Sequence, residues 1–236
     1  GLNQPIGVAV DNAGNVYTTG SFQGTFDFDP GAGTTTLTSN GGDDIFITKF
    51  DASGNLVWAR SMGDTLNEYG YSIGVDGTGN VYTTGHFSGT VDFDPGVATT
   101  TISSNGNEDI FVSKLDANGN FVWAKNMGGD LFDAGLSITL DDCNNLYLTG
   151  EFGDTVDFDP GPGTHNLVSA GDWDIFLSKY DMQGNFIWAE RMGGDSAELG
   201  MSITVNNHGD IFTTGYFTGI ADFNPDPGTY NLTSAG

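Results

Sequence analysis

The sequence predicts an all-β chain assembled from like repeats, and three observations predict it. The string Asp-Phe-Asp-Pro begins at Asp27, Asp92 and Asp157, and its variant Asp-Phe-Asn-Pro at Asp222, each step being 65 residues with no insertion. Composition is turn-rich and aromatic: 37 Gly and 17 Phe stand in 236 residues, the usage of sheets joined by tight turns. Apolar residues alternate at the period of two that strands impose, and no 3.6-residue period marks helices. The repeats run approximately 1–65, 66–130, 131–195 and 196–236, the last incomplete, and together they read as one repeat domain.

Residues 72–128 serve as the reference repeat. Ser72 to Asp76 form a short strand. The cluster Asp76-Gly77-Thr78-Gly79-Asn80 then turns the chain, because Gly and Asn tolerate positive φ, and Val81 to Thr84 return it as a hairpin. A second hairpin joins Asp109–Leu115 to Asn120–Met127 through Asp116-Ala117-Asn118-Gly119. Its strands are apolar on both sides, so both faces are expected to be covered by neighbouring sheets. Between the hairpins a long connection carries Asp92-Phe93-Asp94-Pro95-Gly96 and is expected to hold a short fifth strand at Thr99 to Ser103. Four antiparallel strands per repeat, covered on both faces and repeated without drift, make a β-propeller-like array. About 3.6 repeats fall short of the four to eight blades of a closed ring, so the array is read as a partial or open propeller.

Two motifs recur in register. D-x-x-G-N-V-Y-x-T-G stands at Asp11 to Gly20, Asp76 to Gly85 and Asp141 to Gly150; D-I-F-x-x-K-x-D-x-x-G-N-x-x-W stands at Asp44 to Trp58, Asp109 to Trp123 and Asp174 to Trp188. Together they resemble the bacterial seven-bladed β-propeller repeat of the SBBP type, over essentially the whole chain. That resemblance implies secreted or surface-attached proteins, often large, frequently exported by the type IX route and mostly without assigned activity. The connection holding Asp-Phe-Asp-Pro-Gly is longer and more acidic here than that family's usual link.

Thirty-one Asp and Glu against six Lys and Arg leave a formal charge of -25, which repels phosphate backbones and anionic lipid. Nucleic acid and membrane insertion are therefore excluded as expectations, and an extracellular, salty or calcium-containing medium is expected. Cys143 alone makes no internal disulfide, no apolar run approaches a membrane span, and the missing initiator Met and leader suggest a processed chain or a segment of a longer one.

The sharpest site candidates are the acidic pairs Asp27/Asp29, Asp92/Asp94, Asp157/Asp159 and Asp222/Asn224. At i and i+2 their oxygens share one side while the intervening Phe points inward. They read either as turn caps accepting N–H bonds near the following Pro-Gly, or as hard-oxygen ligands for calcium. Asp11, Asp76, Asp141, Asp51, Asp116 and Asp181 read as turn caps. Lys49, Lys114 and Lys179 recur on an apolar face, to be explained by snorkelling or by pairing with an Asp. His86, His165 and His208 share no column and read as chance surface residues; Cys143 reads as inert; Asn231-Leu232-Thr233 matches a glycosylation sequon. The stretch Asp51 to Trp58 approaches a sialidase Asp-box, but its spacing differs and no arginine cluster accompanies it.

The reading that follows is a non-enzymatic scaffold or adhesive module at the bacterial surface, partnered by further repeats or other copies of itself, and by a surface glycan or protein ligand. Two alternatives stand beside it. One is a protein interaction module. The other is a carbohydrate-active or carbohydrate-binding propeller, which requires an off-consensus acid with a raised pKa, and Glu151, in the column of Ser21, His86 and Tyr216, is the residue to test.

Overall fold

The computed structural model describes residues 3–225 and 227–235. Among them the chain is all-β, in repeated antiparallel sheets that form a β-propeller-like array. The first repeat supplies β1 (Asn3–Val10), β2 (Val16–Phe22), β3 (Thr25–Asp27), β4 (Thr36–Thr38), β5 (Asp44–Phe50) and β6 (Leu56–Met62). The second supplies β7 (Glu68–Val75), β8 (Val81–Asp92), β9 (Thr101–Leu115) and β10 (Phe121–Met127). In the third are β11 (Ala134–Leu140), β12 (Leu146–Phe152), β13 (Thr155–Asp157), β14 (Asn166–Val168), β15 (Asp174–Tyr180) and β16 (Phe186–Gly194). The fourth holds β17 (Glu198–Val205), β18 (Ile211–Phe217), β19 (Ile220–Asp222) and β20 (Asn231–Thr233). Each full repeat makes one four-stranded blade, in the orders β1-β2-β5-β6, β7-β8-β9-β10 and β11-β12-β15-β16.

Asp/Gly/Asn turns set the hairpins as their composition requires. Gly14, Gly79 and Gly209 sit at φ of 82°, 85° and 85°, and Asn144, in the same column, takes φ 63°. Asn is one of the few residues that tolerates this left-handed region, so the third repeat keeps the turn without its glycine.

The long connection differs from expectation. It folds as a two-stranded arm, β3 with β4 and β13 with β14, rather than holding one short strand. In the second repeat the arm is continuous with the blade, because β8 runs on to Asp92 and β9 starts at Thr101. In the fourth, β19 pairs with Gly193 and Gly194 of β16, so the arm stitches its repeat to the strand before it. The Phe between the paired acids anchors each arm. Phe28, Phe93 and Phe158 are buried, with ring centroids 5.0, 5.2 and 4.9 Å from Phe46, Phe111 and Phe176 of their own blades.

Coverage on both faces holds for the third strand, where Ile110 to Leu115 are all buried, but not for the fourth. Val57, Val122 and Ile187 lie exposed on β6, β10 and β16. All three stand in the same column of the last blade strand, so one face of that strand meets solvent at this position in each full repeat.

The chain divides into two compact units, Gly1–Ser104 with Phe111–Lys125, and Asn105–Ile110 with Asn126–Gly236. In the first, β7 packs on β1 and β2 around a core of Tyr17, Ile45, Trp58, Val81, Phe87, Phe93 and Phe111. In the second, β17 packs on β11 and β12 around Tyr147, Ile175, Leu177, Met192 and Ile203.

Candidate functional site

Two polar stations recur along the repeats, at opposite ends of the blades. The first lies at the D-x-x-G-N turns. Asp76 Oδ1 accepts the N–H groups of Thr78 and Asn80 at 2.9 and 3.0 Å, while Oδ2 accepts Asn80 Nδ2 at 2.8 Å and the Tyr82 hydroxyl at 3.2 Å. Asp11 and Asp141 hold Tyr17 and Tyr147 in the same way, each at 3.1 Å. Burial pushes Asp76 upward, but the donors from Asn80 and Thr78 outweigh it and keep the carboxyl below its ordinary value. Over each tyrosine ring lies the recurring lysine: Lys49 at 5.2 Å from Tyr17, Lys114 at 4.9 Å from Tyr82 and Lys179 at 4.6 Å from Tyr147. Cation–π contact is thus what the three lysines share. Lys179 adds an ion pair to Asp141 at 3.7 Å, and Lys49 donates to Ala117 O at 3.3 Å. Trp58 Nε1 donates to the same carbonyl at 3.2 Å. Around Asp11, Lys49 and Asp76 opens a cleft of about 390 Å³.

The acidic pairs of the arms are each built into a turn. Asp27 Oδ1 accepts the N–H groups of Asp29 and Thr35 at 3.1 and 2.9 Å, and Asp29 Oδ1 accepts that of Gly31 at 2.7 Å. Asp92 and Asp94 bond to Thr100 and Gly96 at 2.8 Å each. Asp157 and Asp159 do so to His165 and Gly161, also at 2.8 Å. Asp222 Oδ1 accepts from Asn224 and Tyr230 at 3.0 and 2.8 Å, and with Asn224, Glu190 and Arg191 it lines a cleft of about 520 Å³. One oxygen of each carboxyl is therefore committed to the backbone, as turn capping requires. Among the described residues no three His, Cys, Asp or Glu converge as a metal-holding group.

The second station was not read from the sequence. Asp44 and Asp174 open the third strand of their blades and Asp109 lies within β9, while Glu68 and Glu198 open the first strand of the following repeat and Asp133 immediately precedes it; all six are completely buried. Asn40, Asn105 and Ala170 donate N–H groups to the first set. Asp64, Gly129 and Gly194 donate to the second at 2.9, 2.8 and 2.8 Å. Burial pushes Asp44 up to about 7, Glu68 to about 8 and Asp133 to about 7. Both columns recur at 65 residues, a period that marks them as built-in; their burial is what a charge count hides.

Glu151 carries the property asked of an off-consensus acid, since burial raises it to about 7. Of the histidines, His86 is no surface residue. It is buried beside Tyr69 and Tyr71, at ring distances of 5.0 and 5.3 Å, and burial lowers it to about 4. His165 is half-buried with Nε2 3.0 Å from Ala189 O, His208 is exposed, and Cys143 is exposed. No helix among the described residues is long and apolar enough to cross a membrane.

Comparison with known proteins agrees with a repeat of β-propeller type. An uncharacterized WD repeat-containing protein of Acanthamoeba polyphaga mimivirus is 25% identical over 258 residues, taking in 92% of this chain and 18% of that protein. The regulatory protein FlaEY of Caulobacter vibrioides is 30% identical over 145 residues, 61% of this chain and 15% of its own length. The chain spans less than a fifth of either relative. No family model matches it.

Proposed function

We propose that this chain is a non-catalytic repeat module that binds protein surfaces, further copies of its own repeat among them. The observation that carries the reading is the sameness of the turn-end stations. Asp11, Asp76 and Asp141 hold Tyr17, Tyr82 and Tyr147 in one bonded arrangement, so the recurring polar groups serve to hold the blades rather than to meet a substrate. Exposed apolar residues supply the contact. Phe212, in the column of the buried Tyr17, Tyr82 and Tyr147, is 56% exposed, and Tyr216 on the same strand is 54% exposed. The printed names of the relatives, a WD repeat-containing protein and a regulatory protein, are compatible with an interaction role. The resemblance to the SBBP repeat supports reading such a module as an acidic scaffold or adhesive element of a bacterial surface. Sedimentation of the chain at rising concentration, beside a Phe212→Asp, Tyr216→Asp double variant, tests the contact surface. Association in the parent and its loss in the variant are expected; a monomer at every concentration in both overturns self-recognition by this face.

A second reading rests on Glu151. A carboxyl poised near neutrality is what a glycosidase needs for its acid, and Asp133 is a second carboxyl raised by burial first and, among lesser causes, by the charge of Glu151. Turnover of glycans by the parent and its loss in Glu151→Gln would install this reading in place of the first.

A further inference from the structure

The buried carboxyl station follows one plan with three different fillings. In each of the three full repeats a glycine faces the aspartate so closely that a Cβ would stand 2.4, 2.2 or 2.4 Å from its Cγ, at Gly63, Gly128 and Gly193. Two residues earlier the column reads Ser61, Asn126 and Arg191. Arg191 lays its guanidinium on Asp174. Asn126 Nδ2 donates to Asp109 at 3.0 Å. Ser61 brings no charge, and Asp64 stands where the later repeats have Gly129 and Gly194. The first filling thus has one positive charge fewer and one negative charge more than the third, around equally buried acids. Glu68 Oε1 is buried with no hydrogen-bond partner among the described residues, and so is Glu198 Oε1 at the third station, so what sets the first station apart is its charge. Two adjacent carboxylates without a cation are costly in a low-dielectric site, and one neutral carboxyl removes that cost.

We propose that Asp44 and Glu68, packed beside the Asp64 carboxyl, hold a proton where the third repeat holds a guanidinium, so that the joint between the first two repeats is a latch released by rising pH. The groups around Glu68 are Asp44 from β5, Asp64 from the β6–β7 turn, and Asp43, which accepts the Tyr69 hydroxyl at 3.0 Å. From β8 comes His86, held neutral by burial, with Tyr82 and Asp92 farther along that strand. From β2 comes only Tyr17, bonded to Asp11 at the other end, and β1 carries no titratable side chain. Lys49 and Arg60 are tied to the carbonyls of Ala117 and Gly119. None of these neighbours supplies a cation.

Burial raises both Asp44 and Glu68 in the folded chain, so their contribution is full below the ordinary carboxylate range and is lost as pH rises through the folded values of about 7 and about 8. Each proton released on unfolding multiplies the unfolding constant about tenfold per pH unit within that window. The experiment follows Glu68 by carboxyl-carbon NMR in the parent, and the urea midpoint from mildly acidic to mildly alkaline pH in the parent, Glu68→Gln and Ser61→Arg. A Glu68 transition near neutrality is expected, with a midpoint that falls as pH rises in the parent and much less in either variant. A Glu68 carboxyl titrating in the ordinary acidic range overturns the proposal even if both variants fail to fold. So does a midpoint restored at alkaline pH by calcium in the parent but not in Ser61→Arg, which would put a metal ion in the place of the proton.

Discussion

The Tyr82 hydroxyl donates to Asp76 Oδ2 at 3.2 Å, joining the core of the second blade to the turn that opens it. Both residues are buried, so the bond is made away from water. Burial comes first among the causes that raise the Tyr82 phenol above its ordinary value, and the Asp76 carboxylate adds to it.

Tyr82→Phe keeps the ring against Trp123 and under Lys114 while removing that donor. Asp76 retains its bonds from Thr78 and Asn80, so the cost is one bond to a charged acceptor, about 1.5–3 kcal/mol by urea unfolding. Asp76→Ala strands the buried hydroxyl as well and should cost more. A Tyr82→Phe variant as stable as the parent would show that the hydroxyl contributes nothing.

How much of this was legible depends on whether a residue acts within its own strand or turn. The turns at Asp11, Asp76 and Asp141 were legible because a short Asp side chain can reach only the N–H groups that follow it. Inward Phe28, Phe93 and Phe158 were legible because alternation along an extended chain is local. The pairing of Asp44 with Glu68 was not, since those acids meet only when two repeats stack, and sequence alone cannot tell a buried carboxylate from a solvated one. The cation–π contacts of Lys49, Lys114 and Lys179 were missed for the same reason, the lysine and its tyrosine lying on different strands. The exposed Val57 and Val122 show the converse, an apolar pattern that the fold leaves uncovered.

Gly63 tests the closeness of the buried station. A Cβ there would meet the Asp44 carboxyl at 2.4 Å, and a completely buried side chain has little room to retreat. Gly63→Ala is expected to cost about 1–3 kcal/mol or more. Gly77→Ala, with nothing within 4 Å, is the control and should stay within about 0.5 kcal/mol of the parent in the same denaturation series. A neutral Gly63→Ala would mean that the carboxyl shifts freely.

Acid should weaken the chain by a different route. In Asp76, Asp116, Asp141 and Asp181 burial acts upward, yet the donors of each turn, led by the Asn four residues on, hold the folded carboxyl below its ordinary value. A depressed folded value gives stability that is present above the ordinary carboxylate pKa and is lost as pH falls through the folded one. Circular dichroism followed downward in pH should therefore show a loss of sheet signal below about pH 4, less cooperative in Asp141→Asn than in the parent. A chain whose midpoint is constant from neutral pH down through this range would remove the carboxylate turns from the account of its stability.

The arm's anchor is the remaining test. Phe93 is completely buried, with Phe87 and Phe111 both at ring distances of 5.2 Å, and it stands between Asp92 and Asp94, whose carboxyls close the arm's turn on Thr100 and Gly96. Phe93→Ala removes a whole aromatic side chain from this cluster and should cost about 3–5 kcal/mol, against about 0.5 kcal/mol or less for Val97→Ala at the exposed tip of the same arm. Hydrogen exchange separates the two ways the loss can be felt. Because the arm is one continuous ladder with the blade through β8 and β9, amides at Thr100 and Thr101 should lose protection together with those of Ile110 and Phe111. Loss confined to the arm would show that it folds apart from the blade and that Phe93 serves only its turn.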